Sequence, residues 1–600
     1  MKSKLIAVFL VVTILVISLV AVPTARSDSP KNNILAHALD IELGKVQPKK
    51  YEQPLSDGVM YTLLAASGEL DRRAEAAKTV PGQLNPPANA TAGCPNKYVG
   101  GGKNAGSNIR VNQDCSLRRQ AEEVIAVNPT NPNNLIAGQN DSRIGYNHCG
   151  YAWSFDGGKT WGDQIPPFWS YVLPDGHTAD ACSDPTATFD ADGNAYVGGV
   201  LFDIASAANA IVVAKSDAGI GGRFYHSPAQ GAFQEYGTNL GIVASGNNPA
   251  AALDKEFIVA DANPGSPKVN NVYATWTLIE LTGSGVGIHS PIYFGQSTDG
   301  GATWSPGIEI SGANAAYCFE FSGEADPNAC DQDQGSHPIV GPDGTIYVAF
   351  GNGNLAGTGV EQVLMVSCPA SADCSNPASW TAPAKVGDMF EFHPIGPSAA
   401  GCPAGRQCLP PNGYRVPMIT SISASIAHNG DLFVSWTDGR NIGPNCKVGL
   451  VTAQTATPPC DSDILYAYST DGGATWSSSF NLTPAGSAQW MSWSAVTTDG
   501  KLWVAYYDRS YGNCEFDGCN DITIAGMDNA ATDSPSIKYT RVTTSSMPNL
   551  TLANNPVQAG FLGDYMWVTV NDKGRPLIVW ADTRGLNGTV EEDIYFSSLP

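Results

Sequence analysis

SFDGGKTW at Ser154–Trp161, STDGGATW at Ser297–Trp304 and STDGGATW at Ser469–Trp476 are three copies of one octapeptide, S-x-D-x-G-x-T-W. Each follows a short apolar alternating run, such as Ile292-Tyr293-Phe294. The residue types are those of a hairpin turn. Ser and Asp side chains bond nearby backbone groups, Gly takes a conformation closed to other residues, and Trp caps the adjoining core. The octapeptide therefore marks a fold and lies away from chemistry.

The copies are punctuation in a longer repeat. Each unit has an apolar strand, a D-G or N-G turn, a second strand ending in an aromatic, a loop, and a third strand leading into the octapeptide or its remnant. Seven such units can be marked out, beginning near Glu123, Pro185, Asp254, Ser336, Arg415, Ser492 and Asp564. Complete octapeptides fall in units one, three and five. Repeats of short antiparallel strands predict an all-β protein, a β-propeller of seven blades, with six the alternative. The last unit stops after three strands, so its outer strand is expected from upstream, around Asn108–Val111.

Residues 28–107 fall outside the repeat. Ser56–Lys78 predicts one amphipathic helix with Ser56/Asp57 as its cap, followed by a Pro/Gly-rich linker at Pro81–Gly102. The expected organisation is 1–27 as signal peptide or signal anchor, 28–107 as an N-terminal extension or pro-segment, and 108–600 as the propeller. The leader reading rests on Lys2 and Lys4 before an apolar run from Leu5 to Val22.

Composition agrees. The chain carries 64 Gly and 41 Pro, which favours a turn-rich β protein, and its net charge of −23 argues against nucleic acid or an anionic membrane as partner. Its 14 Cys fall as neighbours: Cys94/Cys115, Cys149/Cys182, Cys318/Cys330, Cys368/Cys374, Cys402/Cys408, Cys446/Cys460 and Cys514/Cys519. In an exported chain that spacing predicts loop-local disulfides, and the lack of C-x-x-C argues against a zinc–thiolate site. Secretion or a cell-surface location follows, with membrane contact only through an uncleaved N-terminal anchor.

Several units end their second strand in Asp-x-Arg: Asp141/Arg143, Asp438/Arg440 and Asp582/Arg584, with Asp508-Arg509 a shortened form. One such pair reads as an intrablade ion pair that anchors a loop. Four on one rim suggest guanidinium forks around a central depression, suited to a carboxylate.

Octapeptides of this kind, called Asp-boxes or BNR repeats, on an exported propeller resemble the sialidase (neuraminidase) superfamily. Unit five adds Tyr414-Arg415-Val416-Pro417, then Asp438-Gly439-Arg440, then Asp461-Ser462-Asp463 before STDGGATW. The resemblance implies that Arg415 and Arg440 belong to a carboxylate-binding arginine cluster, with Arg584, Arg509 or Arg143 as the third member. It also implies that Asp461 or Asp463 corresponds to the acid/base Asp. The family's Arg-x-Pro motif opens its first blade, whereas here it stands in unit five. The family nucleophile is a Tyr activated by a Glu, because a carboxylate nucleophile would be repelled by the substrate's own carboxylate. Tyr565 in GDYMW and Glu256 in DKEF are the candidates, with Tyr507 competing.

Two functions follow as expectations. One is a secreted, sialidase-like glycoside hydrolase releasing terminal acidic sugars from glycans. The other is a non-catalytic propeller that binds glycan or protein at a cell surface. No cofactor is called for; acidic loops at Asp331–Asp333 and Asp461–Asp463 are places for structural Ca²⁺.

Overall fold

The computed structural model describes residues 33–48, 55–77, 108–114, 116, 118–229, 236–237, 239–281, 288–319, 326–355, 360–391, 407–409, 414–443, 461–484, 486–511, 520–550, 562–585 and 590–600. The leader at 1–27 and the linker at Pro81–Gly102 lie outside these residues. Among the described residues, no helix is long and apolar enough to cross a membrane.

Among the described residues, seven antiparallel sheets form a closed ring, a seven-bladed β-propeller, and a separate two-stranded sheet pairs Cys408–Leu409 with Tyr414–Arg415. The first strand of each blade packs on the first strand of the next, and that of the seventh on that of the first. These inner strands are Gln120–Val127, Ala181–Phe189, Ala251–Ala260, Asp333–Val340, Ser423–Ile426, Gln489–Val496 and Trp567–Val570. The seventh blade is completed from upstream: Ile109 pairs with Phe596 and Arg110 with Tyr595, as the unit count requires. Closure leaves no long sheet edge exposed.

The three octapeptides fold alike. Ser154 Oγ bonds Asp156, the Gly158 N–H donates to Ser154 Oγ, Asp156 accepts from the Thr160 N–H and hydroxyl, and Trp161 Nε1 donates to the Gly158 carbonyl. Hydrogen bonds led by those of Thr475 hold the Asp471 carboxyl down at about 2. These turns join third to fourth strands, so they lie on the face opposite the starts of the inner strands.

Helix structure differs from expectation. In place of one helix over Ser56–Lys78 there are two, α2 (Asp57–Ala66) and α3 (Glu69–Ala77), and a further helix, α1 (Ile34–Glu42), stands upstream of them. The reason is local: Gly68 at φ +74 ends α2 after a single apolar stretch and reverses the chain. Helix α2 is buried along most of its length. Its residues Leu55, Val59, Met60 and Leu63 pack on Ala181, Phe202, Ala252 and Ile279 of blades 2 and 3. The extension thus sits on the face where the inner strands begin.

Disulfides join Cys149–Cys182, Cys318–Cys330 and Cys368–Cys374. Cys408 is also disulfide-bonded. The expected pairs Cys94/Cys115, Cys402/Cys408, Cys446/Cys460 and Cys514/Cys519 each include a residue outside those described.

Candidate functional site

The inner strands share an irregularity that positions the site. Register shifts fall between Ala121 and Val124, Ser183 and Thr186, Asp254 and Phe257, Gln334 and His337, and Trp490 and Trp493. Each bulge holds a residue with positive φ: Glu122 (58), Asp184 (57), Lys255 (54), Gly335 (66) and Met491 (55). L-residues rarely adopt this conformation, and its cost is tolerated where a side chain must be re-aimed. Here it turns Glu122, Asp184 and Lys255 toward the axis.

Around the axis stands a buried cluster of opposite charges. Lys255 Nζ lies 2.7 Å from Asp564 Oδ2. The Lys255 N–H donates to Asp184 Oδ2 at 2.9 Å, and Ser183 Oγ donates to Asp184 Oδ1 at 2.7 Å. Asn140 Nδ2 donates to Glu122 Oε2. Carboxyl oxygens of Asp57, Glu122 and Asp564 lie within 4.8 Å of one another. Arg415 Nη2 is 2.8 Å from Asp57 Oδ1, with Glu42 3.7 Å away on its other side. Arg119 is 3.4 Å from Glu592 and lies over the Tyr61 ring.

Burial sets the protonation states. It pushes Glu122 well above the ordinary carboxyl range, aided by the neighbouring Asp564 and Asp184. Burial, then Asp254, raises Asp184 to about 8. Glu256 and Glu592 rise well above their ordinary values, again through burial first. Neutral carboxyls let this many acids share one low-dielectric space with three cations.

Below the charges the channel is filled by rings. Phe257, His337, Trp493, Tyr565 and Trp567 touch one another, with centroids 4.0 Å apart for Trp493 and Trp567 and 5.0 Å for Phe257 and Tyr565. His337 Nδ1 accepts from the Ala424 N–H, and burial holds its pKa down to about 3. Tyr565 faces the charges: its hydroxyl donates to the Pro185 carbonyl at 3.2 Å. Burial raises this phenol well above its usual value, and Glu122, Asp184, Glu256 and Asp564 add to the shift. Glu256 is fully buried and has no side-chain hydrogen bond among the described residues.

The five expected arginines do not gather. Arg143 Nε donates to Asp141 Oδ2 at 2.8 Å and the guanidinium also bridges to Asp163. Arg440 Nε donates to Asp438 Oδ1 at 2.7 Å, and Arg584 Nε to Asp582 Oδ1 at 2.9 Å. Arg509 Nε donates to Asn520 and stacks on Trp490. These four anchor loops, with Arg440 also reaching the Asp388 carbonyl and Arg584 reaching Thr544 and Asn108, because the Asp two residues upstream, or an Asn of the next strand, takes the fork first. Arg415 reaches the axial cluster; Tyr565 and Glu256 lie in it as well. Asp463 faces Asp438 across blade 5 and accepts from Asn441, so it belongs to that anchor, with Asp461 beside it. Tyr507 exchanges hydrogen bonds with the Ala581 backbone, away from the axis.

Glu122, Asp184, Lys255, Asp564, Arg119 and Asp57 were not singled out for chemistry from the sequence. A signal existed: an acidic residue, single or doubled, at the start of an apolar strand, as in Ala121-Glu122-Glu123 and Ser183-Asp184-Pro185. As places for a cation, Asp57/Glu122/Asp564 and the more exposed Asp175/His177/Asp203 bring ligand atoms together. In the loop at Asp331–Asp333, Asn354 Nδ2 donates to Asp331 and Asn352 Nδ2 to Asp333.

No protein-family profile and no curated protein matches this chain. Among solved structures it is similar to the phage phi92 endosialidase, at 12% identity and TM-score 0.41, covering 83% of this chain and 69% of that one. It is also similar to the intramolecular trans-sialidase of Ruminococcus gnavus (13%, TM-score 0.35, covering 79% and 94%). A third similarity is to the α-L-arabinanase of Penicillium chrysogenum (14%, TM-score 0.38, covering 72% and 99%).

Proposed function

We propose that the protein is an exported glycoside hydrolase of sialidase type, acting on glycans that end in an acidic sugar. The observation that carries this is Arg415. It is a buried guanidinium in the axial funnel already holding a carboxylate, that of Asp57, with Tyr565 and Glu256 in the same cluster. A guanidinium fork is the natural receptor for a sugar carboxylate, and Arg119 supplies a second cation near the same position.

The chemistry would run with retention. In a hydrated site, where Glu256 is ionised, Tyr565 passes its phenolic proton to the Glu256 carboxylate and its oxygen bonds the anomeric carbon, while the bond to the leaving oxygen breaks. Asp184, protonated at neutral pH, gives that oxygen its proton and then takes one from the water that cleaves the glycosyl–tyrosine bond. Asp184 replaces Asp461 and Asp463 in this role, since those two belong to blade 5.

The test is turnover of a fluorogenic sialoside between pH 4 and 8, before and after limited proteolysis within residues 78–107. Tyr565→Phe and Glu256→Gln should each lower turnover about 10²–10⁴-fold. Absence of turnover in both states sinks the hydrolase reading. A binding-only propeller is favoured by one observation, the Tyr565 hydroxyl given to Pro185 rather than to Glu256. Retention of a sialylated glycan without product would select it.

A further inference from the structure

Access to the axial funnel is closed by the chain itself. Helix α2 enters it end-on, and its first residues make the contacts a ligand would make. The Ser56 N–H donates to Asp254 Oδ2 at 2.8 Å, and Ser56 Oγ lies 3.4 Å from Ser183 Oγ. Asp57 is held by Arg415. Farther along, the Asn147 N–H donates to Thr62 Oγ1, and Arg119 covers Tyr61. Blades 1, 2 and 3 and the strand before blade 5 all grip this one segment.

We infer that α2 is an internal pseudo-substrate: Asp57 holds the place of a ligand carboxylate on Arg415, and release of residues 34–77 opens the funnel. This rests on the carboxylate-recognition reading of the same site. Three further observations support a removable cap. Asp57 is seated beside two other buried acids, Glu122 and Asp564, and Glu122 must stay protonated for it to remain there. Apart from the polar contacts above, its attachment is an apolar patch centred on blades 2 and 3. The ring closes without it, through the pairing of 109–110 with 595–596. The capped state is also chemically silent, because Glu256 is buried neutral and Tyr565 is tied to a carbonyl.

Gly58 offers a selective lever. A Cβ there would meet Ser183 Oγ at 2.0 Å, Asn140 Nδ2 at 2.7 Å and Asn147 Nδ2 at 2.9 Å. All three atoms are committed to buried hydrogen bonds. Gly58→Ala should therefore push α2 outward while improving its helix propensity. In the full chain, a protease site is inserted between Leu84 and Asn85 and cut, in wild type, Gly58→Ala and Asp57→Ala. Co-elution of the 34–77 fragment is followed by size exclusion, and Arg415 modification by phenylglyoxal is followed by peptide mass spectrometry.

The cut variants should lose the fragment and show Arg415 modified at least about tenfold faster than in the uncut wild type, as expected when a local closed state is opened. Arg584, anchored in blade 7, serves as the unchanged reference. Faster labelling without sialoside turnover leaves the cap in place and removes the hydrolase reading. A fragment that stays bound with Arg415 protected in both variants overturns the cap. So does loss of the propeller's own melting transition on cutting, which would make α2 part of the scaffold.

Discussion

Lys255→Met should be among the most damaging single changes in the protein. Its ammonium is buried, 2.7 Å from Asp564, and the charge of Asp564, then that of Asp254, holds its proton more firmly. Removing it leaves Asp564 buried beside Asp57 and Glu122 without its cation. Breaking a buried pair from one side costs about 3–5 kcal/mol. Lys255 also sits at φ +54. Lys255→Gly loses the same charge but relieves the left-handed backbone, so it should cost about 1 kcal/mol less than Lys255→Met. The assay is urea unfolding followed by tryptophan fluorescence, with Asp564→Asn and the double variant closing a thermodynamic cycle. The double variant should recover about 1–3 kcal/mol over the sum of the singles. A cost below about 1 kcal/mol for Lys255→Met, or strict additivity with Asp564→Asn, would refute the view that these charges hold the axis together.

Four further outcomes are expected. The native state keeps a proton on Asp184 up to about pH 8, whereas the unfolded chain releases it near 3.8, so that contribution is complete at low pH and vanishes as pH rises through 8. The histidines His148 and His337, lowered by burial to about 4 and about 3, oppose this only up to their ordinary 6.5. Stability should therefore fall between pH 6.5 and 8.5 by on the order of 1 kcal/mol per pH unit, measured by urea midpoints, and a flat profile would contradict the assignment. Asn108→Ala removes an amide whose oxygen accepts from the Thr544 N–H, the Thr544 hydroxyl and Arg584, and whose nitrogen donates to the Val542 carbonyl. It should cost about 2–4 kcal/mol by the same measurement, since several buried groups lose their partner. Arg440→Ala should cost no more than about 1 kcal/mol and leave glycan binding intact, as its pair with Asp438 is partly exposed. Arg415→Ala should abolish binding of the sialoside to the opened protein, read by calorimetry.

Scaffold information is local, and so it was legible. The turn octapeptides, the D-G turns and the missing last strand each reside in a few consecutive residues, and together they pointed to seven blades, with six the alternative, and to a closing strand near 108–111. The site was legible in pieces. Tyr565 and Glu256 stood out by their places at inner-strand starts and Arg415 by its motif, and all three stand at the axial cluster. Arg143, Arg440, Arg509 and Arg584 misled because Asp-x-Arg reads the same whether the fork faces the axis or its own Asp. Glu122, Asp184 and Lys255 were missed because a bulge breaks the period of two on which inward and outward are judged. Ser56 and Asp57 were recognised as a helix cap, yet their partners Asp254 and Arg415 stand blades away. No periodicity connects residues so distant in the chain.

Pairing of Ile109–Arg110 with the strand that ends at Ser598 also orders events in time. A ribosome finishes six blades before the seventh has its inner three strands, so the first propeller strand must wait, unpaired, while all seven blades are made. The circle can lock only after synthesis of its final segment, and a chain shortened by that single strand would be left with an open seam.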